Sequence, residues 1–283
     1  VVNEAVLTIK NSNVGTIIAW AKSKVVVETG SVVESIKPIH TSMNTNAKYG
    51  FVIKAGATVK VLDLSNIDAN KKINITIEDG ATVGKVIGAN GAEYPSLEAY
   101  IGSVSVNSAE ALKDALATEG AVVSVATGNY TFPSSSVKAG QTIVCAEGTV
   151  FTGKSSLNIN GATVIGAEFK NEGGSAVSGT INGTFKNCNF TGSNALRSCY
   201  AGETVVFENC VFSGNTYGVH FDGGANDATF KNCVFSGFNA FGAQLTQLTL
   251  DGCTFVGNGK SGYNGANLWG NTTLKNCEFT FDG

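Results

Sequence analysis

Phe185-Lys-Asn-Cys-Asn-Phe190 returns as Phe207-Glu-Asn-Cys-Val-Phe212, Phe230-Lys-Asn-Cys-Val-Phe235, Leu250-Asp-Gly-Cys-Thr-Phe255 and Leu274-Lys-Asn-Cys-Glu-Phe279. The five cysteines of these copies, Cys188, Cys210, Cys233, Cys253 and Cys277, stand 22, 23, 20 and 24 residues apart. A steady step with variable filler means one structural unit per copy. Within a copy the apolar residues alternate: Phe207, then Cys210 and Phe212 beyond the Asn. Period two is the period of a strand. The Asn ahead of each Cys falls where the strand bends, because Asn tolerates left-handed backbone and its amide can bond a stacked neighbour. Short strands, Gly and Asn corners and a repeat of about 20–25 residues predict a parallel β-helix with coils stacked at ~4.8 Å. Phe then lies on Phe, Cys on Cys and Asn on Asn. Phe169, 21 residues before Phe190, extends the Phe series one coil upstream.

Outward from this core pattern, the first hundred residues repeat more weakly. Val25-Val-Val-Glu-Thr-Gly30 resembles Phe51-Val-Ile-Lys-Ala-Gly56 and Ile75-Thr-Ile-Glu-Asp-Gly80, with Gly steps of 26 and 24. This also reads as stacked β-structure, with smaller core residues and no Cys. Gly88-Ala-Asn-Gly-Ala-Glu-Tyr-Pro95 punctuates the chain. One helix follows, over 108–117, with Asn107 as its cap and Glu110 three residues on. Ala109, Leu112 and Leu116 form its apolar face. A short amphipathic helix here covers the open end of a solenoid, whose strand edges would otherwise aggregate. The reading is all-β, a right-handed parallel β-helix with one short capping α-helix. It has a β-solenoid-like segment over 1–101 and a β-helix over 102–283. The last copy runs straight into Thr280-Phe-Asp-Gly283, so the solenoid is expected to continue beyond that point or to be capped by a partner.

Composition agrees. The chain has 283 residues, 43% hydrophobic and 14% charged, with 35 Gly, and a net charge of −3. Disordered chains carry more charge, and helical bundles far less Gly. Apolar runs are too short for a transmembrane helix. A single arginine, Arg197, argues against a nucleic-acid groove. Neither nucleic acid nor membrane is expected as a partner.

These residues carry a resemblance. From Val104 to Gly283 the chain resembles the pectin-lyase-like family of right-handed β-helices, through the helix, the opening coil Gly120-Ala-Val-Val-Ser-Val-Ala-Thr-Gly-Asn-Tyr-Thr-Phe132, and the Asn-Cys-x-Phe coils. That family includes polysaccharide lyases, glycoside hydrolases, bacterial adhesins and bacteriophage tailspikes, and fold alone does not choose among them. The resemblance to tailspikes implies a rod that contacts cell-surface polysaccharide or other virion or surface proteins, in a homotrimer.

The seven cysteines, which also include Cys145 and Cys199, read as buried free thiols, small hydrophobes in a ladder. No CxxC or Cys/His spacing suggests zinc. Unpaired thiols suit a protein that folds in a reducing compartment and is released later. This favours a virion or extracellular location, as a phage tail-fibre, tailspike or appendage protein. A bacterial adhesin of the same fold and a polysaccharide lyase or glycoside hydrolase (a depolymerase) are the alternatives.

With the coils aligned on the ladder Cys, Arg197 and His220 each lie 13 residues before a Cys, as does Asn264. Arg197 and His220 are thus expected as stacked neighbours, with Asp222 on the same strand face. These three are the catalytic candidates, and a lyase would use one as its base. Tyr200, Tyr217, Asp227, Tyr263 and Trp269 in the same coils are the carbohydrate-binding candidates. The Asp-Asp pair of polygalacturonase-type enzymes is absent, and one Arg cannot form the lyase Arg-x-Pro-x-x-Arg stretch. The expectation is a binder rather than an enzyme. Asp222 to Asp227 lacks the ligand spacing of a calcium loop, and no metal or cofactor is expected. His40 reads as a loop residue and Trp20 as a core or cap contact.

Overall fold

The computed structural model describes residues 5–20, 22–39, 50–67, 74–89, 91–224, 227–236, 238–240, 247–257, 266–268 and 271–280. The chain divides into two compact units, Val1–Ser103 and Val104–Gly283.

The first unit winds between two parallel sheets. One carries Val6–Ile9, Lys24–Val27, Gly50–Ile53 and Ile75–Ile77; the other carries Asn13–Ala19, Val32–Pro38, Thr58–Asp63 and Thr82–Ile87. Ile9, Val27, Ile53 and Ile77 pair in one register column, and Leu7, Val25, Phe51 and Ile75 in another. Gly30, Gly56 and Gly80 turn each coil with φ of 78°, 73° and 84°, the left-handed region that glycine enters freely. The antiparallel strand Glu93–Tyr94 and a helix over Leu97–Ile101 follow. Ser96 caps that helix, accepting from the Ala99 N–H at 3.1 Å. The Tyr100 hydroxyl donates to the Ile67 carbonyl at 3.0 Å and its ring meets Tyr94 edge-on. The sequence pattern predicts no helix here, because five residues are too few to show a helical period. Trp20, expected in the core or against a cap, is 39% exposed at the end of its strand.

The second unit opens with the strand Val104–Val106 and a helix over Ala109–Ala115. Its cap is Ser108 rather than Asn107: the Ala111 N–H donates to Ser108 Oγ at 3.1 Å. Leu112 and Leu116 are fully buried against the start of the solenoid core, with Val106, Val123 and Val125. Parallel coils follow up to Glu278–Thr280. Two aromatic ladders fill them. Tyr130, Phe151, Phe169, Phe190, Phe212, Phe235, Phe255 and Phe279 pair in one column. Phe185, Phe207 and Phe230, continued by Leu250 and Leu274, form the other. Rings stack along each column, as Phe190 on Phe212 at 4.8 Å and 4°. Across the core they meet edge-on, as Phe190 and Phe207 at 85°. Both geometries suit the ring quadrupole.

The corner between the columns is the predicted Asn. Asn187, Asn209, Asn232 and Asn276 have φ of 53°, 53°, 51° and 51°, and Gly252 takes the same place at 65°. Asn209 Nδ2 donates to Asn187 Oδ1, and Asn232 Nδ2 to Asn209 Oδ1, both at 3.3 Å. A Cβ on Gly252 would stand 2.3 Å from Asn232 Oδ1, so the amide ladder stops there. Each following Cys turns inward. Cys210 Sγ donates to the Glu208 carbonyl and to the Phe185 carbonyl of the coil before, both at 3.4 Å. All seven cysteines are free thiols.

Candidate functional site

Two long paths, Asn189–Glu208 and Val211–Gly224, carry the residues singled out in the sequence. Leu196 pairs with Val219, and the register shifts before the next pair, Cys199 with Phe221, so Arg197 and His220 lie on adjacent coils beside that shift. The Arg197 guanidinium carbon lies 4.9 Å from the centroid of the Tyr217 ring, within cation–π range. The same ring meets His220 edge-on, with centroids 4.7 Å apart. Tyr217 is only 5% exposed, so it acts as a floor that fixes the two half-buried side chains above it. The structure therefore assembles Arg197, Tyr217 and His220 as one stack.

The His220 column continues through Asn239, paired with His220, and Asn267, paired with Asn239. The cysteine spacing put Asn264 there; residue 264 lies outside the described residues, and the register gives the place to Asn267. Counting back from Cys misplaces it because coil lengths vary between the corner and this face. Asp222 shows a second effect of irregular coils. Cys199 pairs with Phe221 but Tyr200 pairs with Gly223, so Asp222 is the extra residue of a bulge. The simple alternation that set Asp222 on the face of His220 does not carry across it. The side chains of Tyr200 and Asp222, and all of Tyr263, Trp269 and His40, lie outside the described residues. Asp227 is exposed and its carbonyl accepts from the Val205 N–H at 3.1 Å. It precedes the strand Ala228–Lys231, in a different column from the stack.

One feature escaped the sequence reading. An open groove of about 460 Å³ lies upstream, lined by Asn129, Val150, Thr152, Glu168, Lys170 and Glu172 among others. Asn129, Val150 and Glu168 share one register column, and Thr152 and Lys170 the next but one. No Cys stands at the ladder position of these coils, and only Phe169 tied one of them to the repeat in sequence. Lys170 Nζ sits 2.9 Å from Glu172 Oε1. That hydrogen bond holds the Glu172 carboxyl below its ordinary range and raises Lys170. Glu172 is thus not a carboxyl kept protonated near neutral pH, as a general acid requires. Among the described residues no three His, Cys, Asp or Glu side chains are grouped to hold a metal ion. Among the same residues no helix is long and apolar enough to cross a membrane.

A solenoid of parallel strands with stacked Phe and Asn columns defines the class. The model of the family described as "Right handed beta helix region" matches residues 120–282. The chain belongs to that right-handed β-helix family. No curated protein and no solved structure matches it significantly.

Proposed function

We propose that the chain is an elongated, rigid part of a virion appendage of tail-fibre or tailspike type, and that the Arg197–Tyr217–His220 face contacts glycan on a cell surface. The observation that carries this reading is the stack itself: Arg197 and His220, on adjacent coils, both lie against the Tyr217 ring. Arg supplies a planar fork of donors, and an imidazole can both donate and accept. Such a face matches a polymer of hydroxyl-bearing or carboxylate-bearing sugars laid along the solenoid, whose extended surface suits long ligands. The free thiols, of which Cys188, Cys199, Cys210, Cys233 and Cys253 are buried and bonded to backbone carbonyls, support folding in a reducing compartment before release.

The test is binding to an array of bacterial surface polysaccharides with wild type, Arg197→Ala and His220→Ala. Arg197→Ala removes a charge-assisted donor set of about 1.5–3 kcal/mol, hence an expected loss of at least tenfold in affinity for the bound glycan. Unchanged binding by both variants, or no binding by the wild type to any glycan, would overturn the proposal.

A further inference from the structure

The residue just before each corner of the second unit reads Lys186, Glu208, Lys231, Asp251, Lys275, and the register pairs each with the next. Charge alternates along these five coils, whereas upstream the same column reads Ser124, Val144 and Ile165. Lys186 Nζ lies 2.8 Å from Glu208 Oε2, and Lys231 Nζ 3.5 Å from Glu208 Oε1. The first unit does the same beside its own turns. Lys10, Glu28, Lys54 and Glu78 each follow a member of the Ile9, Val27, Ile53, Ile77 column, and Lys54 bonds Glu78 at 3.0 Å. These side chains are a quarter to a half exposed, where ion pairs add little to stability. Their value lies elsewhere.

The other ladders cannot order the coils. Cys and the Phe that follows it recur on each of these coils, so a coil laid on its next-but-one neighbour still sets Phe on Phe and Cys on Cys. The charged column is the exception. Skipping a coil brings Lys186 onto Lys231, Glu208 onto Asp251, or Lys231 onto Lys275. Stacking the same coil of two chains sets every charge on itself. Consecutive coils put opposite charges in contact, at a coil spacing of ~4.8 Å that lies inside the ~8–10 Å screening length of ordinary buffers. We propose that this alternating column is a register key. It favours the correct next coil while the solenoid grows, and it rejects stacking that skips one coil or that lays the same coils of two chains on each other.

The test is the yield of soluble monomer after the full chain is diluted from denaturant. One variant, Glu208→Lys with Asp251→Lys, makes the column all lysine. A second reverses all five charges and so keeps the alternation while carrying the same two lysines. A third, Glu119→Lys with Glu147→Lys at exposed positions off the column, matches the first in net charge. At low salt the all-lysine column is expected to give about three- to tenfold less monomer than the other two. In 1 M salt, where the screening length is ~3 Å, the gap should close. Equal yields for the all-lysine and off-column variants would overturn the proposal. So would a reversed column that fails as badly as the all-lysine one, because the loss would then belong to the substituted side chains rather than to the order of charge.

Discussion

At the scale of the residue, the thiols are the most telling groups. Six of the seven are buried and only Cys277, on the last described coil, is partly exposed. Burial pushes the Cys145 and Cys210 thiols well up, so they stay protonated and unreactive while the coil holds. Brief alkylation of the native protein is expected to modify one thiol, Cys277, and denaturation should release all seven. Rapid native reaction at Cys210 would contradict the packing. The pH consequence has a definite sign. Unfolded thiols ionise near pH ~8.5 and these folded ones do not, so the unfolded state binds fewer protons above that pH. The stability that these thiols contribute is complete below pH ~8.5 and declines as the pH rises beyond it. Denaturant midpoints from pH 7 to 10 check this, and a Cys145→Ala, Cys210→Ala variant should show a shallower decline.

At the scale of the element, the coil was legible and its surroundings less so. The Asn corner and the inward Cys and Phe could be read because each is dictated by one local constraint: left-handed backbone, a small buried group, a stacked ring. Arg197 and His220 could be paired for the same reason, since both lie a fixed count from a corner. Asn267 and the bulge at Asp222 could not, because strand irregularity leaves no mark in the spacing. The cap at Ser108 rather than Asn107 is a shift of one residue between two equally good capping types. The groove at Glu168 and Lys170 was hidden because its coils lack the Cys that indexes the others. The ladders also rank the phenylalanines. Phe212 is fully buried with rings stacked on both sides, so Phe212→Ala should cost about 3–5 kcal/mol. Among the described residues Phe279 has a single stacked neighbour and is 41% exposed, so Phe279→Ala should cost less than half as much. Urea unfolding of the two variants makes the comparison, and equal losses would contradict the stacked order.

At the scale of the whole molecule, the same parallel stacking that buries the aromatic columns lines up outward residues that are about 20 positions apart in sequence. Fold class followed from the repeat because a solenoid has one solution for such a period. Function did not, because outward positions are free of packing constraints and the family hosts binders and enzymes alike. What separates those two is chemistry at the face. Arg197, Tyr217 and His220 make a donor-rich stack. The direct measurement is the chain length of a polysaccharide that the protein binds, sized before and after prolonged incubation. A binding rod leaves the length unchanged. Shortened products would contradict the account, and unsaturated ends among them would identify a lyase.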